Sequence, residues 1–85
     1  PWFWSDQFDV KYQSVGLAQG YDEVVRRGHE DRSYSLFYLK EGRVVAVDAF
    51  NRVKDFMAAK RLVADKMKLS ATQIADENFE FKSLF

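Results

Sequence analysis

Residues 33–50 read SYSLFYLKEGRVVAVDAF. Two runs rich in aromatic and β-branched side chains, 33–39 and 44–50, flank Glu41-Gly42, and a glycine there supplies the positive φ that tight hairpin turns require. The stretch predicts a β-hairpin. Inside its second run stands Asp48, whose ionised side chain needs either a partner or a sheet edge. Directly after it, NRVKDFMAAKRLVADKM starts with Asn51, a good N-cap. Val53, Phe56, Met57, Val63, Ala64 and Met67 then recur at helical spacing and predict the buried side of an amphipathic helix. Lys60 breaks that row and is expected to snorkel.

Outward from this centre the pattern continues in both directions. Upstream, QFDVKYQSV alternates, with Phe8, Val10 and Tyr12 on one face and Asp9, Lys11 and Gln13 on the other, the period of a half-buried strand over 7–15. Gly16 and Gly20 mark a connection, and YDEVVRRG at 21–28 resumes as a short β run. HEDRS, which contains the one histidine, His29, is polar and unperiodic and reads as a loop. Downstream, Ser70 to Gln73 match a capping box and predict a second short helix through Ile74 and Ala75. The tail NFEFKSLF alternates Phe79 and Phe81, which suggests a last strand or an extended strap over the core. The expected fold class is α+β: an antiparallel sheet with two C-terminal helices packed on one face.

Composition bounds what such a domain does. At 85 residues there is room for one domain, 1–85, and one modest core. A hydrophobic content of 47%, with 16% aromatic residues, argues against disorder. Thirteen basic residues balance thirteen acidic ones, so no global field attracts nucleic acid or anionic lipid. Aromatic strands raise the idea of RNA stacking, but LFYLKEGRVVAV lacks the basic-Gly-aromatic signature. With no cysteine there is no disulfide framework, thiolate nucleophile or cysteine-type zinc site. No apolar run reaches the roughly 20 residues that span a bilayer. The N-terminus lacks the regions of a signal peptide, so a cytoplasmic location is expected.

Catalytic constellations are missing. His29 has no nucleophile placed beside it and is assigned no role. Asp6, Asp9, Asp22, Glu23, Asp48 and Asp55 are scattered, and surface or capping positions explain them more simply than acid–base chemistry. Neither a dinucleotide nor a P-loop fingerprint occurs. The opening PWFWSDQFD is different. Trp2, Phe3 and Trp4 are consecutive, so on an extended chain their rings cannot all enter one small core. At least one faces outward, where an indole anchors an interface or lies against a flat cofactor.

PWFWSDQFD, then GLAQGYDEVVRRG, then FYLKEGRVVAVDAFNRVKDF resemble, in that order, the C-terminal domain of flavin-dependent ferredoxin and rubredoxin reductases of the putidaredoxin-reductase type. The resemblance covers nearly the whole chain. It implies an interface domain of the glutathione-reductase architecture that follows FAD- and NAD-binding domains, themselves absent here. It further implies a parent that moves hydride from NADH or NADPH to FAD and then single electrons to a ferredoxin or rubredoxin. Carried over, Trp4 is the tryptophan beside the flavin, with Trp2 and Phe3 flanking it. Ser14-Val15 departs from the family's aliphatic pair, and contacts of the variable tail after Asp76 do not transfer. Excised from its parent, the chain is expected to hold no FAD, to be inactive and to self-associate, a possible homodimer, through its N-terminal aromatics. The alternatives are a free-standing α+β interaction module and, less favoured, a small hydrolase or isomerase using Asp48 or His29.

Overall fold

A computed structural model describes residues 11–84 of the chain. The stretch at 33–50 forms the expected hairpin: β3 (Ser33–Lys40) and β4 (Arg43–Phe50) pair antiparallel around Glu41 and Gly42, whose φ values are 53° and 81°. Two consecutive positive φ angles are the signature of the hairpin turn whose twist matches the strands. The Asp22 carboxylate accepts the Glu41 N–H at 3.0 Å and ties the turn to the chain before it. With β1 (Tyr12–Gly16) and β2 (Glu23–Glu30), the strands form one antiparallel sheet in the order β1-β4-β3-β2.

Two upstream expectations need correction. His29 and Glu30 belong to β2 rather than to a loop, because the β2–β3 hairpin closes tightly at Asp31-Arg32. A bulge after Arg27 absorbs the register shift, at Gly28 with φ 107°. The strand expected over 7–15 falls partly outside the described residues, Phe8 and Val10 included. In the part that is described, the faces are inverted: Tyr12 is 56% exposed on the outer face, and Gln13 and Val15 turn inward. Tyr12 stays outside because it pairs with Phe50 across the strands, and their rings lie 5.1 Å apart there.

The inner face carries Val25, Phe37, Leu39, Val44 and Val47. α1 (Val53–Ala64) packs on β4 and β1, and α2 (Ala71–Ala75) packs on β2. A 3-10 turn, Phe81–Leu84, closes the tail, which is thus a strap and not a strand. Phe37, Leu39, Leu62 and Ile74 are fully buried, and each such side chain contributes roughly 1.5–3 kcal/mol relative to exposure. Ser70 and Gln73 make the reciprocal bonds of the expected capping box. The α+β architecture, with both helices on one face, is the one expected.

The face of α1 is only partly the one expected, since Val63 of the expected row packs against the core, as does Met67 just beyond the helix. Its buried residues are Asp55, Ala59 and Leu62, whereas Val53 and Met57 are 48% and 58% exposed and Ala64 is exposed; Phe56, Val63 and Met67 are half-buried. Nor is Asn51 the N-cap. It has φ 55°, and its side chain instead accepts the Lys11 N–H and donates to the Arg32 carbonyl, so Arg52 occupies the cap without a side-chain bond. Lys60 is exposed, its ammonium 5.2 Å from the centre of the Phe56 ring.

Candidate functional site

The charge inside the helix is explained by the strand opposite. Arg27 on β2 points inward, and its side chain is 5% exposed. Its Nη1 donates to the carbonyls of Ile74 and Asp76 at 3.0 and 2.7 Å, and its Nη2 to those of Glu77 and Phe79 at 3.4 and 2.6 Å. The guanidinium carbon lies 4.4 Å from the centre of the Phe81 ring. Arg27 Nε stands 3.4 Å from Asp55 Oδ1, an ion-pair distance without hydrogen-bond geometry. The other oxygen of Asp55 accepts from Arg52 Nε at 2.9 Å and from the Ser35 hydroxyl at 3.1 Å. Arg52 continues to Glu77 Oε1 at 3.1 Å. Burial works against the Arg52 charge, but the Glu77 hydrogen bond and the Asp55 carboxylate outweigh it and hold its pKa above the ordinary value.

This network floors an open cleft of about 1080 Å³ between the start of α1 and the strap, with Val53, Met57, Ala58 and Phe79 along its walls. The two arginines on its floor, Arg27 and Arg52, are engaged with carbonyls and carboxylates, and Lys54 and Lys82 also line it.

A second polar group sits on the opposite, outer face of the sheet. Asp48 accepts from the Tyr12 hydroxyl at 3.1 Å and from the Tyr38 hydroxyl at 2.8 Å. The hydrogen bond to Asp48, then desolvation and the carboxylate's charge, push the Tyr38 pKa up to about 12. Asp48 has thus found partners in the sheet itself. Around it Tyr34 stacks on Phe50 at 4.8 Å, Tyr21 meets Tyr38 edge-on at 5.2 Å, and the Arg26 guanidinium lies 4.1 Å from the centre of the Tyr34 ring.

The candidate flavin residues Trp2, Phe3 and Trp4 lie outside the described residues. His29 is exposed on β2, with Glu77 3.4 Å away. It and Asp48 lie on different faces and are not brought together. Among the described residues no three His, Cys, Asp or Glu side chains cluster to hold a metal ion, and no helix is long and apolar enough to cross a membrane. The four glycines, all at positive φ, serve turns, a bulge and a strand end rather than a phosphate loop. Missed from sequence was Arg27. A lone arginine among inward-facing apolar residues at strand period, with an acid on the helix to follow, was the available signal.

Residues 2–85 match a family described as "Reductase C-terminal". The chain belongs to that family. Its sheet-and-helix fold also superposes on a chain of the covalent putidaredoxin reductase–putidaredoxin complex with a TM-score of 0.83 at 38% identity, covering 99% of this chain and 20% of that one. The ferredoxin reductase subunit of 5,5'-dehydrodivanillate O-demethylase from Sphingobium sp. is 45% identical over 85 residues, which are 99% of this chain and 21% of that protein. Putidaredoxin reductase from Pseudomonas putida is 38% identical over 99% of this chain and 20% of its own length. This Reductase C-terminal chain therefore spans about a fifth of the relatives it matches.

Proposed function

We propose that this chain is a single domain, 1–85, at the C-terminal end of an NAD(P)H-dependent, FAD-containing ferredoxin reductase. The observation that carries the reading is end-to-end similarity to ferredoxin reductases at up to 45% identity, confined to about a fifth of their length. In this reading the preceding domains hold FAD and NAD(P)H, and a ferredoxin-type or rubredoxin-type iron–sulfur protein takes the electrons. FAD bound by those domains supplies the conversion of two-electron hydride chemistry into single-electron transfer. Both terminal nitrogens of Arg27 are taken up by main-chain carbonyls, which gives this arginine a structural part. This chain's part is cover and positioning. Trp4 shields one side of the flavin from water, and Trp2 and Phe3 flank it.

In the full-length protein, Trp4→Ala is expected to change flavin fluorescence and to slow acceptor reduction on the order of tenfold, the scale of a displaced reacting group. Trp2→Ala should do less. Equal effects of the two substitutions, confined to the melting temperature, would assign the tryptophans to packing alone.

A further inference from the structure

Burying Asp55 fixes how α1 is turned about its axis, and that turn leaves a sulfur outside. Asp55, Ala59 and Leu62 are the buried residues of the helix. Val53 and Met57, about one helical turn apart, are exposed instead, Met57 by 58%. Both line the cleft between α1 and the strap, together with Ala58 and Phe79. A thioether is open to two-electron oxidation in a way that a hydrocarbon side chain is not, and with no cysteine in the sequence no thiol of this chain competes with it.

The chain contains two methionines, and the fold treats them oppositely. Met67 packs against the core. Its N–H donates to the Leu62 carbonyl at 2.9 Å and its carbonyl accepts the Val44 N–H at 3.0 Å, so its backbone is held on both sides. A sulfoxide at Met67 would carry a polar oxygen into apolar surroundings, where an unmatched acceptor is costly. At Met57 the same oxygen meets water. Along α1 the residues three or four positions from Met57 are Val53, Lys54, Lys60 and Arg61, the positions that neighbour it on a helix surface, and none of them is acidic. A sulfoxide oxygen, which accepts hydrogen bonds, therefore emerges among cationic donors rather than carboxylates.

We propose that Met57 is a reversible oxidation site, at which a peroxide converts the thioether to the sulfoxide and turns this wall of the cleft from apolar to polar without unfolding the domain. A sulfur lone pair attacks one oxygen of hydrogen peroxide, and the S–O bond forms as the O–O bond breaks. The sulfur gives up two electrons to the peroxide, and the proton on the transferred oxygen passes through solvent to the departing hydroxide, which leaves as water. In the reverse direction two thiols supply two electrons through a methionine sulfoxide reductase, become a disulfide and release the oxygen as water. The chemistry needs no flavin and holds whether or not the chain is part of a reductase.

The test treats full-length protein with hydrogen peroxide and locates each added oxygen by peptide mass. In folded protein Met57 should oxidise about tenfold faster than Met67, and in urea the two should oxidise at the same rate. Equal rates in the folded protein overturn the proposal, as does faster oxidation of Met67. Met57→Leu, treated in parallel, separates this sulfur from every other oxidisable group: peroxide should lower the melting temperature of the unsubstituted protein no more than that of Met57→Leu. A larger loss in the unsubstituted protein means that the Met57 sulfoxide disrupts the fold, and overturns the proposal. Methionine sulfoxide reductases A and B, one for each epimer, should then remove the oxygen from Met57 in the folded protein when dithiothreitol is present. An oxygen that persists there, while the same enzymes repair the peptide released by digestion, overturns the reversibility.

Discussion

Arg27 joins three parts of the molecule that sequence separates, donating to carbonyls 47 to 52 residues away while facing Asp55 and the ring of Phe81. A lysine keeps the charge there but not the fork, since an ammonium is a point donor that cannot span carbonyls on both sides of a planar group. Arg27→Lys is therefore expected to lower stability in urea unfolding by about 2–3 kcal/mol, the scale of losing charge-assisted hydrogen bonds to buried carbonyls. That is a large share of the roughly 5–15 kcal/mol available to a small domain. Tyr38 behaves differently, because its interaction shows only in alkali. Its folded pKa of about 12 lies above the unfolded value of 10.0. The folded state thus keeps a proton that the unfolded chain releases first, and stability falls as pH rises. The contribution is complete below about pH 10 and is lost between about pH 10 and pH 12. Phenolate absorbance should show one tyrosine titrating late in the wild type and returning toward pH 10 in Asp48→Asn.

Elements form where local signals agree, and the disagreements are instructive. The turn at Glu41-Gly42 and the capping box at Ser70 depend on residues within three positions of one another and appear as expected. Asn51 carries an equally good local signal for an N-cap, but main-chain groups at Lys11 and Arg32 compete for its amide and win. α1 consequently begins at Val53 without a side-chain cap. At the end of β1 the constraint is steric: Gly16 has φ 82°, and a Cβ there would collide with the carbonyl oxygen of Val45 on the neighbouring strand. Gly16→Ala is expected to destabilise the chain on the order of 2 kcal/mol and to loosen β1 first. Amide exchange concentrated at 12–16, with β2 and β3 unchanged, is the corresponding measurement.

At the scale of the whole molecule, the described residues form a sheet whose helices and strap lie on one face, and the chain matches about a fifth of the length of its relatives. A net charge of zero provides little long-range repulsion between copies of the chain. The loss expected for Trp4→Ala follows from the proposed place of this chain after cofactor-binding domains. Family, fold class, the β3–β4 hairpin and the second helix were legible in the sequence because runs, turns and capping boxes are set by neighbours along the chain. The resemblance that implies a flavin beside Trp4 rests on motif order, and Trp4 lies outside the described residues. The faces were not legible. Alternation around Tyr12 and helical spacing around Val53 each offered two sides, and the apolar residues Tyr12, Val53 and Met57 marked the wrong one. Which side turned inward was decided by tertiary partners: Phe50 and Asp48 drew Tyr12 outward, and Arg27 made room for a buried Asp55. A carboxylate enters a core only when a fixed counter-charge awaits it. That counter-charge lay on another element, where no local pattern records it.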